Sequence, residues 1–454
     1  MPPVTTVDPA TGEPIETHER LSDAALDAAL DRSARAFRRH RQRPFAERAA
    51  AMRRLADLLD RDSDRHGRLM TREMGKPLDQ AVSEARKCAL VCRYYADNAE
   101  RFLADEPRET EAARSFVAFE PLGPVLAVMP WNFPYWQVFR FAAPTVMAGG
   151  VGLLKHADNV LGCAAAIGDL FREAGFDEGV LEPLAISHEQ TAGVIADRRV
   201  RAVTLTGSDR AGRAVGALAG RALKPSVLEL GGSDAFVVLA DADLDAAVEA
   251  GVRSRVQNNG QSCIAAKRFI VEAPVAEAFT ERFVRRMEAL AIDHPMESPD
   301  LGPLARADLR AGLHDQVERA VAEGAEVLCG GALPDGPGFY YPPTVLGNVR
   351  EGSTAFEEEL FGPVAAIVVA AGEAEAVRLA NATRFGLGAS VWTRSRERGE
   401  RLARGLRAGA VFVNEMTKSH PNLPFGGVSD SGYGRELARQ GIRAFVNEKA
   451  VWVA

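Results

Sequence analysis

Short apolar segments that alternate with helix-like segments constrain the fold of this chain most strongly. Four of these segments are almost continuously apolar and end in polar residues: 125–129, 151–154, 202–206 and 237–239. Strands that are buried on both faces have this pattern, and the segments between them supply the helices that cover a parallel sheet. Ligands bind such sheets beyond the carboxyl ends of the strands. We therefore expect an α/β fold with a ligand site at that edge.

The regions on either side of this group differ in their periodicity. Residues 22–105 keep helical spacing of apolar side chains, whereas residues 114–120 alternate like an isolated strand. A second group of strand-like segments follows Cys263, at 268–271, 365–369, 390–392 and 410–413. The last segment, 450–454, could pair with the 114–120 strand or with another subunit. The second group predicts a further α/β layer.

Length and charge exclude several classes of protein. A chain of 454 residues is too long for one simple core and predicts two or three domains. The net charge of −7, with both signs scattered, argues against a nucleic-acid track or a polybasic membrane anchor. No apolar run reaches the length of a membrane helix, no secretory signal is visible, and five cysteines form no disulfide framework. These features predict a cytoplasmic protein with free thiols.

Two segments suggest reactive side chains. Cys263 lies in the small-residue sequence Gln-Asn-Asn-Gly-Gln-Ser-Cys-Ile-Ala-Ala-Lys at 257–267, where a substrate could approach the thiol. Taken alone, a buried structural cysteine is an equally good interpretation. Glu229 stands between two leucines, where a carboxylate is costly unless it is paired or functional. Burial would raise its pKa and suit a general base, although backbone donors could also hold it.

Two further segments could serve a ligand. Asn132 lies between the two prolines of 129–134, so its amide is a rigidly mounted donor of the kind that a developing oxyanion requires. An ordinary Asx turn is the alternative. Gly207 and Gly212 join a strand to a helix, and such a turn can bring a phosphate to the helix N-terminus. Their spacing matches neither the usual dinucleotide fingerprint nor a P-loop.

Together these segments resemble the aldehyde dehydrogenase superfamily, and most closely its bacterial succinate-semialdehyde dehydrogenase branch. The resemblance runs nearly end to end, from Asp-Pro-Ala-Thr-Gly-Glu at 8–13 through Glu-Glu-Leu-Phe-Gly-Pro at 358–363 to Pro-Phe-Gly-Gly at 424–427 and Ser-Gly-Tyr-Gly-Arg-Glu at 431–436. It implies an α/β aldehyde dehydrogenase-like fold that assembles as a homodimer or homotetramer. The implied parts are a Rossmann-type NAD(P)-binding domain (1–111 and 122–231), an α/β catalytic domain (232–435) and a small β oligomerisation element (112–121 and 436–454).

The resemblance also implies the catalytic roles. Cys263 would attack an aldehyde as the nucleophile and carry the resulting thioester. The Asn132 side chain and the Cys263 backbone N–H would hold the oxyanion. Glu229 would activate the water that releases the carboxylic acid. Relatives that pass the acyl group to CoA commonly lack this glutamate, so its presence favours hydrolysis over that alternative.

Cofactor contacts follow from the same resemblance. The implied residues are Trp131 near the dinucleotide, Lys155 on the adenosine ribose, Gly207 and Ser208 at the pyrophosphate, Glu359 on the nicotinamide ribose and Phe361 beside the ring. Asp158, three residues after Lys155, could accept from a ribose 2′-OH and would repel a 2′-phosphate. It therefore favours NAD over NADP, although it is shorter than the glutamate that is common in the family.

Arg140 and Ser419 are the implied substrate contacts. Arg140 matches an arginine that binds the carboxylate of succinate semialdehyde, and a guanidinium suits a carboxylate. A structural salt bridge is its alternative role. Relatives with a second arginine six residues before the cysteine differ from this chain, which has Gln257 there. Another aliphatic or amino aldehyde therefore stays open as substrate, as do an esterase without cofactor and a non-catalytic binding protein. No metal is expected, because no histidine or cysteine pair completes a site with Cys88 and Cys92.

Overall fold

The computed structural model describes residues 2–454; Met1, at which the predicted first domain begins, lies outside them. The strands are β1 (Val4–Val7), β2 (Pro14–His18), β3 (Glu106–Pro107), β4 (Arg114–Pro121), β5 (Pro124–Met129), β6 (Val151–His156), β7 (Leu181–Pro183), β8 (Ala202–Thr206), β9 (Ser226–Glu229), β10 (Asp234–Val238), β11 (Ala266–Glu272), β12 (Glu326–Cys329), β13 (Thr344–Gly347), β14 (Val364–Ala370), β15 (Gly388–Trp392), β16 (Ala410–Val413), β17 (Gly432–Tyr433) and β18 (Val446–Val453). The α-helices are α1 (Asp23–His40), α2 (Phe45–Arg61), α3 (Ser63–Met74), α4 (Leu78–Phe102), α5 (Trp136–Met147), α6 (Leu161–Glu173), α7 (His188–Ala196), α8 (Asp209–Arg221), α9 (Leu244–Val256), α10 (Ala273–Glu288), α11 (Ala307–Ala322), α12 (Thr354–Glu357), α13 (Glu373–Asn381), α14 (Arg396–Gly405) and α15 (Ala438–Arg443).

The first large sheet has six strands in the order β17-β9-β8-β5-β6-β7. All of its neighbours are parallel except β17, which runs antiparallel to β9. Its central strands are the apolar segments predicted at 125–129, 151–154 and 202–206. Because these strands are buried on both faces, they must be covered by helices, and the α/β prediction is confirmed.

The second large sheet has seven strands in the order β12-β13-β14-β11-β10-β15-β16. It contains the four strands predicted after Cys263, which are parallel to one another. The apolar segment 237–239, grouped above with the first sheet, instead belongs here, because β10 pairs with β11 and β15. A continuous apolar run indicates burial on both faces but does not specify which sheet a strand joins.

Helices α1 to α4 precede the first sheet and confirm the helical prediction for residues 22–105. Ser22 caps α1, since its side chain accepts a hydrogen bond from the Ala25 N–H at 3.2 Å. Buried side chains of α2, α3 and α4 share one apolar cluster with α5 and α6. None of the helices within residues 2–454 has the length and apolar character needed to cross a membrane.

A small antiparallel sheet, β18-β4-β3, stands apart from the two large ones. Strand β18 pairs with β4 in a continuous register from Val446 opposite Pro121 to Val453 opposite Arg114. The pairing of the C-terminal segment with the 114–120 strand, one of the two alternatives given above, is confirmed. Trp452 remains 54% exposed on β18, so an aromatic surface of this sheet faces solvent.

Candidate active site

Cys263 lies in a turn between a short 3-10 helix, Gln257–Gly260, and strand β11. The chain reverses there through three residues with positive φ: Asn258 at 59°, Asn259 at 57° and Gly260 at 74°. Asparagine tolerates this conformation better than most residues, and glycine adopts it without strain. A Cβ on Gly260 would stand 2.3 Å from the carbonyl carbon of Gly362, so the turn also requires glycine for close packing.

The cysteine is partly buried, and two neighbouring cations face it. Lys267 on β11 donates from Nζ to the carbonyl oxygens of Cys263 at 2.8 Å and Ser262 at 3.0 Å, which ties the turn to the strand. Burial raises the pKa of the Cys263 thiol to about 12, although the charges of Arg140 and Lys267 act to lower it. The thiol is therefore protonated at neutral pH and needs a base before it can attack.

Asn132 reaches the same turn from the loop after β5. Its side chain is 4% exposed, and Nδ2 donates to the carbonyl oxygen of Gln261 at 3.0 Å. Asn258 donates in turn from Nδ2 to the Asn132 carbonyl oxygen at 2.8 Å, which holds the two loops together. An amide carries two hydrogens, so one remains for a ligand beside Cys263.

Glu229 ends strand β9 and is 2% exposed. Neither of its carboxylate oxygens has a hydrogen-bond partner among residues 2–454. Burial, followed by the nearby Glu436 carboxyl group, raises the pKa of Glu229 well above its usual value. The strand then leads to Gly232, where a Cβ would stand 2.9 Å from the Cys263 carbonyl oxygen. The backbones that carry the thiol and the carboxyl group therefore meet at Gly232.

Arg140 on α5 is 2% exposed and forms an ion pair with Glu436. Its guanidinium also stacks over the Phe425 ring, 4.4 Å from the centroid. The alternative role given above, a salt bridge, is thus what the structure contains. The same guanidinium opposes the rise that burial causes in the pKa of Cys263 and of Glu229, so one positive charge acts on the predicted nucleophile and the predicted base.

The predicted adenosine end of the cofactor site lies after β6. Lys155 is 6% exposed and donates from Nζ to the His156 carbonyl oxygen and to Asp158, both at 3.0 Å. Arg20, which the sequence did not suggest, donates to the other Asp158 oxygen at 2.6 Å. Burial acts to raise the pKa of Asp158, but Arg20 and Lys155 outweigh it and lower the pKa. The carboxylate predicted to face a ribose is therefore already neutralised by two cations.

The glycine turn after β8 leads into the N-terminus of α8. Ser208 caps the helix by accepting from the Ala211 N–H at 3.3 Å, and the Gly207 N–H donates to the Glu229 carbonyl oxygen at 3.0 Å. This bond fixes the turn to the end of β9. A helix N-terminus at the carboxyl edge of a parallel sheet suits an anionic group such as a pyrophosphate.

At the predicted nicotinamide end, Glu359 accepts from the Gly232 N–H at 3.0 Å and lies 3.5 Å from Lys267 Nζ. Trp131 and Phe361 meet edge to face, with ring centroids 5.8 Å apart. The contact of Glu359 with Gly232 links this end of the site to the Cys263 turn.

Ser419 and Gln257 lie near a cavity that Phe133, next to Asn132, helps to line: Gln257 lines it, and Ser419 contacts Lys87 at its wall. Ser419 is 9% exposed, and its Oγ accepts from Lys87 Nζ at 2.7 Å. Gln257 and Lys87 both line a cavity of about 770 Å³ whose wall includes Phe133. Lys87 belongs to α4 and was not predicted, because its sequence context is that of an ordinary helical lysine.

The sequence reasoning also left Glu436 and Lys267 without roles, although both stand in quoted motifs. Their importance depends on partners distant in the chain, Arg140 and Glu359, which no local pattern specifies. No group of three or more histidine, cysteine or acidic residues within residues 2–454 is arranged to hold a metal ion.

Comparisons with known proteins agree on one family. The model of the aldehyde dehydrogenase family matches residues 2–451. The chain is 52% identical over 452 residues to a probable NADP(+) succinate-semialdehyde dehydrogenase of Synechocystis sp., covering 99% of this chain and 100% of the relative. It is 51% identical over 456 residues to an NADP(+) succinate-semialdehyde dehydrogenase of Mycobacterium tuberculosis, covering 100% of both.

Solved structures give the same result. The succinic semialdehyde dehydrogenase of Streptococcus pyogenes, crystallised with NADP+ as the cofactor, superposes with a TM-score of 0.97 at 37% identity and 99% coverage of both chains. The order of both large sheets and of the small one is thus that of an enzyme with a dinucleotide site.

Proposed function

This chain belongs to the aldehyde dehydrogenase family, and we propose that it oxidises succinate semialdehyde to succinate with NADP as the hydride acceptor. The observation that carries the proposal is the convergence of the Cys263, Asn132 and Glu229 segments through the Gln261 and Gly232 contacts. A thiol, an amide donor and an unpaired carboxyl group are what aldehyde oxidation through a thioester requires. Relatives about half identical in sequence are a probable and a named succinate-semialdehyde dehydrogenase, which supports the choice of substrate.

Cys263 begins the reaction. Because its thiol has a raised pKa, the proton must pass to a base, and Glu229 is the proposed acceptor. The sulfur then bonds to the aldehyde carbon, and the carbonyl π electrons move to the oxygen. The free amide hydrogen of Asn132 and the Cys263 backbone N–H stabilise that oxyanion.

Glu229 completes the reaction by activating water. A dinucleotide held at this sheet edge would supply the acceptor for the aldehyde hydrogen as hydride, which would leave an acyl thioester on Cys263. Glu229 first passes the thiol proton to solvent and so returns to its base form. It then removes a proton from water as the oxygen attacks the thioester carbon; the C–S bond breaks, the acid leaves, and the proton on Glu229 returns to the Cys263 thiolate. The unpaired carboxylate oxygens of Glu229 are free for this proton, and its raised pKa matches a base that works near neutral pH.

The residues at the sheet edge fit a dinucleotide. Lys155 offers donors to a ribose, the α8 N-terminus at Gly207 and Ser208 suits a pyrophosphate, and the Glu359 carboxylate can accept from a second ribose. We propose that Trp131 and Phe361, which contact each other, flank the nicotinamide end.

NADP is the proposed cofactor, which reverses the preference for NAD that Asp158 suggested. A carboxylate repels a 2′-phosphate only while its charge is uncompensated. Asp158 is bound by Arg20 and Lys155, so the group of three carries one net positive charge (two cations and one carboxylate). A phosphate beside this group is attracted rather than repelled.

We also propose the division into domains that the sequence suggested, with 1–111 and 122–231 binding the cofactor and 232–435 carrying the nucleophile. The boundary at 231 falls between β9 of the first sheet and β10 of the second. The remaining segments, 112–121 and 436–454, supply α15 and two of the three strands of the small sheet, β4 and β18, and the exposed Trp452 supports their use in a homodimer or homotetramer.

A panel of aldehydes assayed with each cofactor tests the proposed reaction. Succinate semialdehyde, butanal and 4-aminobutanal are compared with NADP and with NAD, following the reduced nicotinamide. We expect succinate semialdehyde with NADP to have the highest kcat/KM, by about tenfold or more over butanal, because only it offers a carboxylate. Cys263→Ala should give no turnover while still binding NADP by calorimetry. A higher kcat/KM for either of the other aldehydes would refute the proposed substrate.

A further inference from the structure

Lys87 differs from the other cations around the cavity that it lines. That cavity, about 770 Å³ in volume, is also lined by Lys76, Arg253, Arg286 and Lys418. Each of these four is ion-paired with a carboxylate: Lys76 with Glu84, Arg253 with Glu415, Arg286 with Glu249 and Lys418 with Glu415. Among residues 2–454, Lys87 has no carboxylate within ion-pair distance, although its side chain is partly buried.

The ammonium of Lys87 is nevertheless held in place. It donates to Ser419 Oγ at 2.7 Å and sits 4.2 Å from the centroid of the Trp136 ring. A ring face stabilises a cation, but it does not cancel its charge. An ammonium has three N–H donors, so two remain after the bond to Ser419, whose own hydroxyl hydrogen is also free to donate. Lys87 itself lines the cavity, so two ammonium donors and one positive charge are available there, with the Ser419 hydroxyl beside them.

The cavity is adjacent to the catalytic turn. Phe133, next to Asn132, and Asn258 both line it, and Asn258 donates to the Asn132 carbonyl oxygen at 2.8 Å and to the Gln261 carbonyl oxygen at 2.9 Å. The loops that present the predicted oxyanion donor and nucleophile therefore form the inner wall of the space in which Lys87 stands.

The balance of charge near Lys87 also calls for an anion. Charges of both signs act on its ammonium: after burial, Arg140 is the main cause that lowers the pKa of Lys87, to about 8, while Glu84 acts to raise it. Arg140 is paired with Glu436 and Lys76 with Glu84, so Lys87 and these four groups, three cations and two carboxylates, together carry one net positive charge. One carboxylate would neutralise the group, and charge-assisted hydrogen bonds would favour it.

We propose that Lys87 is a specificity-determining residue that binds the distal carboxylate of the aldehyde substrate, together with Ser419. In this arrangement Lys87 supplies the free positive charge, and Arg140, held by Glu436, supports it electrostatically. The inference rests on the proposed function in assuming a substrate with a carboxylate opposite its aldehyde group.

Matched substrates and variants test the role of Lys87. Lys87→Met keeps the length of the side chain and removes its charge, Lys87→Arg keeps the charge, and Lys418→Met removes a paired lysine from the same cavity. We measure the ratio of kcat/KM for succinate semialdehyde to that for butanal. Lys87→Met should lower the ratio about 10- to 100-fold, mainly through KM, since one charge-assisted contact is lost. Lys87→Arg should retain most of the ratio, and Lys418→Met should keep it within about twofold.

Three outcomes would overturn the assignment. One is an unchanged ratio in Lys87→Met; another is an equal loss for both aldehydes in a folded variant, which is the result expected of a structural lysine. The third is an equal fall of the ratio in Lys418→Met, which would indicate that the electrostatic potential of the whole cavity, and not a contact with Lys87, favours the carboxylate. Thermal unfolding of each variant shows whether it folds. Should Lys87→Met fail to fold, the kcat/KM ratio of Lys87→Arg, which keeps the charge, decides the assignment.

Succinate inhibition separates this inference from the proposed reaction. Succinate is added as a competitor during butanal oxidation, and its inhibition constant is compared between the wild type and Lys87→Met. The wild type could show no preference for succinate semialdehyde while Lys87→Met weakens succinate inhibition. That result would support the anion site at Lys87 and refute the proposed substrate. If succinate semialdehyde is preferred and the inhibition constant does not change, the proposed substrate stands and Lys87 is excluded.

Discussion

Glu229 has a carboxyl group without a hydrogen-bond partner among the described residues, and in the proposed reaction its charge state controls the release of the acid. Because burial and Glu436 raise its pKa, the base form increases only as the pH rises above the usual range of a carboxyl group. We expect the rate of thioester hydrolysis to rise with pH through this raised pKa. Glu229→Gln should abolish that rise and slow hydrolysis by about 100-fold or more.

Single-turnover measurements check this prediction. The burst of reduced cofactor reports acyl formation, and the steady state that follows reports hydrolysis. Asp62→Asn, on an exposed ion pair with Arg61, is the control and should keep the wild-type profile. A Glu229→Gln enzyme with a wild-type steady-state rate would contradict the role of base.

We propose that Arg20 influences the cofactor preference through its ion pair with Asp158. Removing its guanidinium leaves Asp158 with Lys155 alone and takes one positive charge from the site. Arg20→Ala should therefore weaken NADP binding by about 10-fold relative to NAD, roughly the effect of one charged contact. Calorimetry with both cofactors measures the ratio, and Arg53→Ala, at an exposed ion pair with Asp97, serves as control. An unchanged ratio of NADP affinity to NAD affinity in Arg20→Ala would show that Arg20 does not determine the cofactor preference.

These residues also show how far the sequence could predict the site. Cys263, Glu229 and Asn132 stand in contiguous motifs, so each could be chosen from its own neighbours. Arg20 could not, because it reaches Asp158 from 138 residues away and nothing in its own segment requires a carboxylate partner. Charge compensation depends on folded distance, and for that reason the sequence favoured NAD.

Among the structural elements, the turn that carries Cys263 requires a glycine at position 260. An alanine there would adopt the left-handed region at about 1–2 kcal/mol, and its Cβ would meet the Gly362 backbone at 2.3 Å. Gly260→Ala should destabilise the fold by about 2–5 kcal/mol in all, since overpacking adds its own cost.

Gly220→Ala is the matched control for this substitution. Gly220 lies in α8 with nothing within 4 Å of its Cβ position, so alanine there should stabilise the helix by about 0.5–1 kcal/mol. Chemical denaturation measures both variants, and the rate of thiol labelling reports the geometry of the Cys263 turn. Equal stability of the two variants would contradict the packing argument.

The positions of the strands were predicted better than the strands with which they pair. Strands β5, β6, β8, β11, β14, β15 and β16 were all located in the sequence, because an apolar run bounded by polar residues is a local signal. The apolar pattern grouped β10 with the first sheet, although the domain bounds implied by the resemblance, 232–435, placed it with the second. Its neighbours β11 and β15 follow it by about 30 and 150 residues, and a strand buried on both faces gives no indication of its partner.

For the molecule as a whole, the small sheet is the proposed site of assembly. Trp452 is 54% exposed and Val453 46% exposed on β18, where a second subunit could cover them. Trp452→Glu should shift the protein toward the monomer in light scattering, because a charge would be buried at the interface. Leu333→Glu, on an exposed loop elsewhere, should leave the mass unchanged. A wild-type mass for Trp452→Glu would place assembly on another surface.

The antiparallel pairing of β17 with β9 has a consequence for protein synthesis. Gly432 is the register partner of Glu229, and Glu436 lies beside the same carboxyl group, yet both are translated some 200 residues after it. A nascent chain that has already folded its first sheet still lacks one edge strand and the second acid of the catalytic pocket. We therefore expect almost the entire polypeptide to be needed before this pocket is complete, and a product that ends before Gly432 to be inactive.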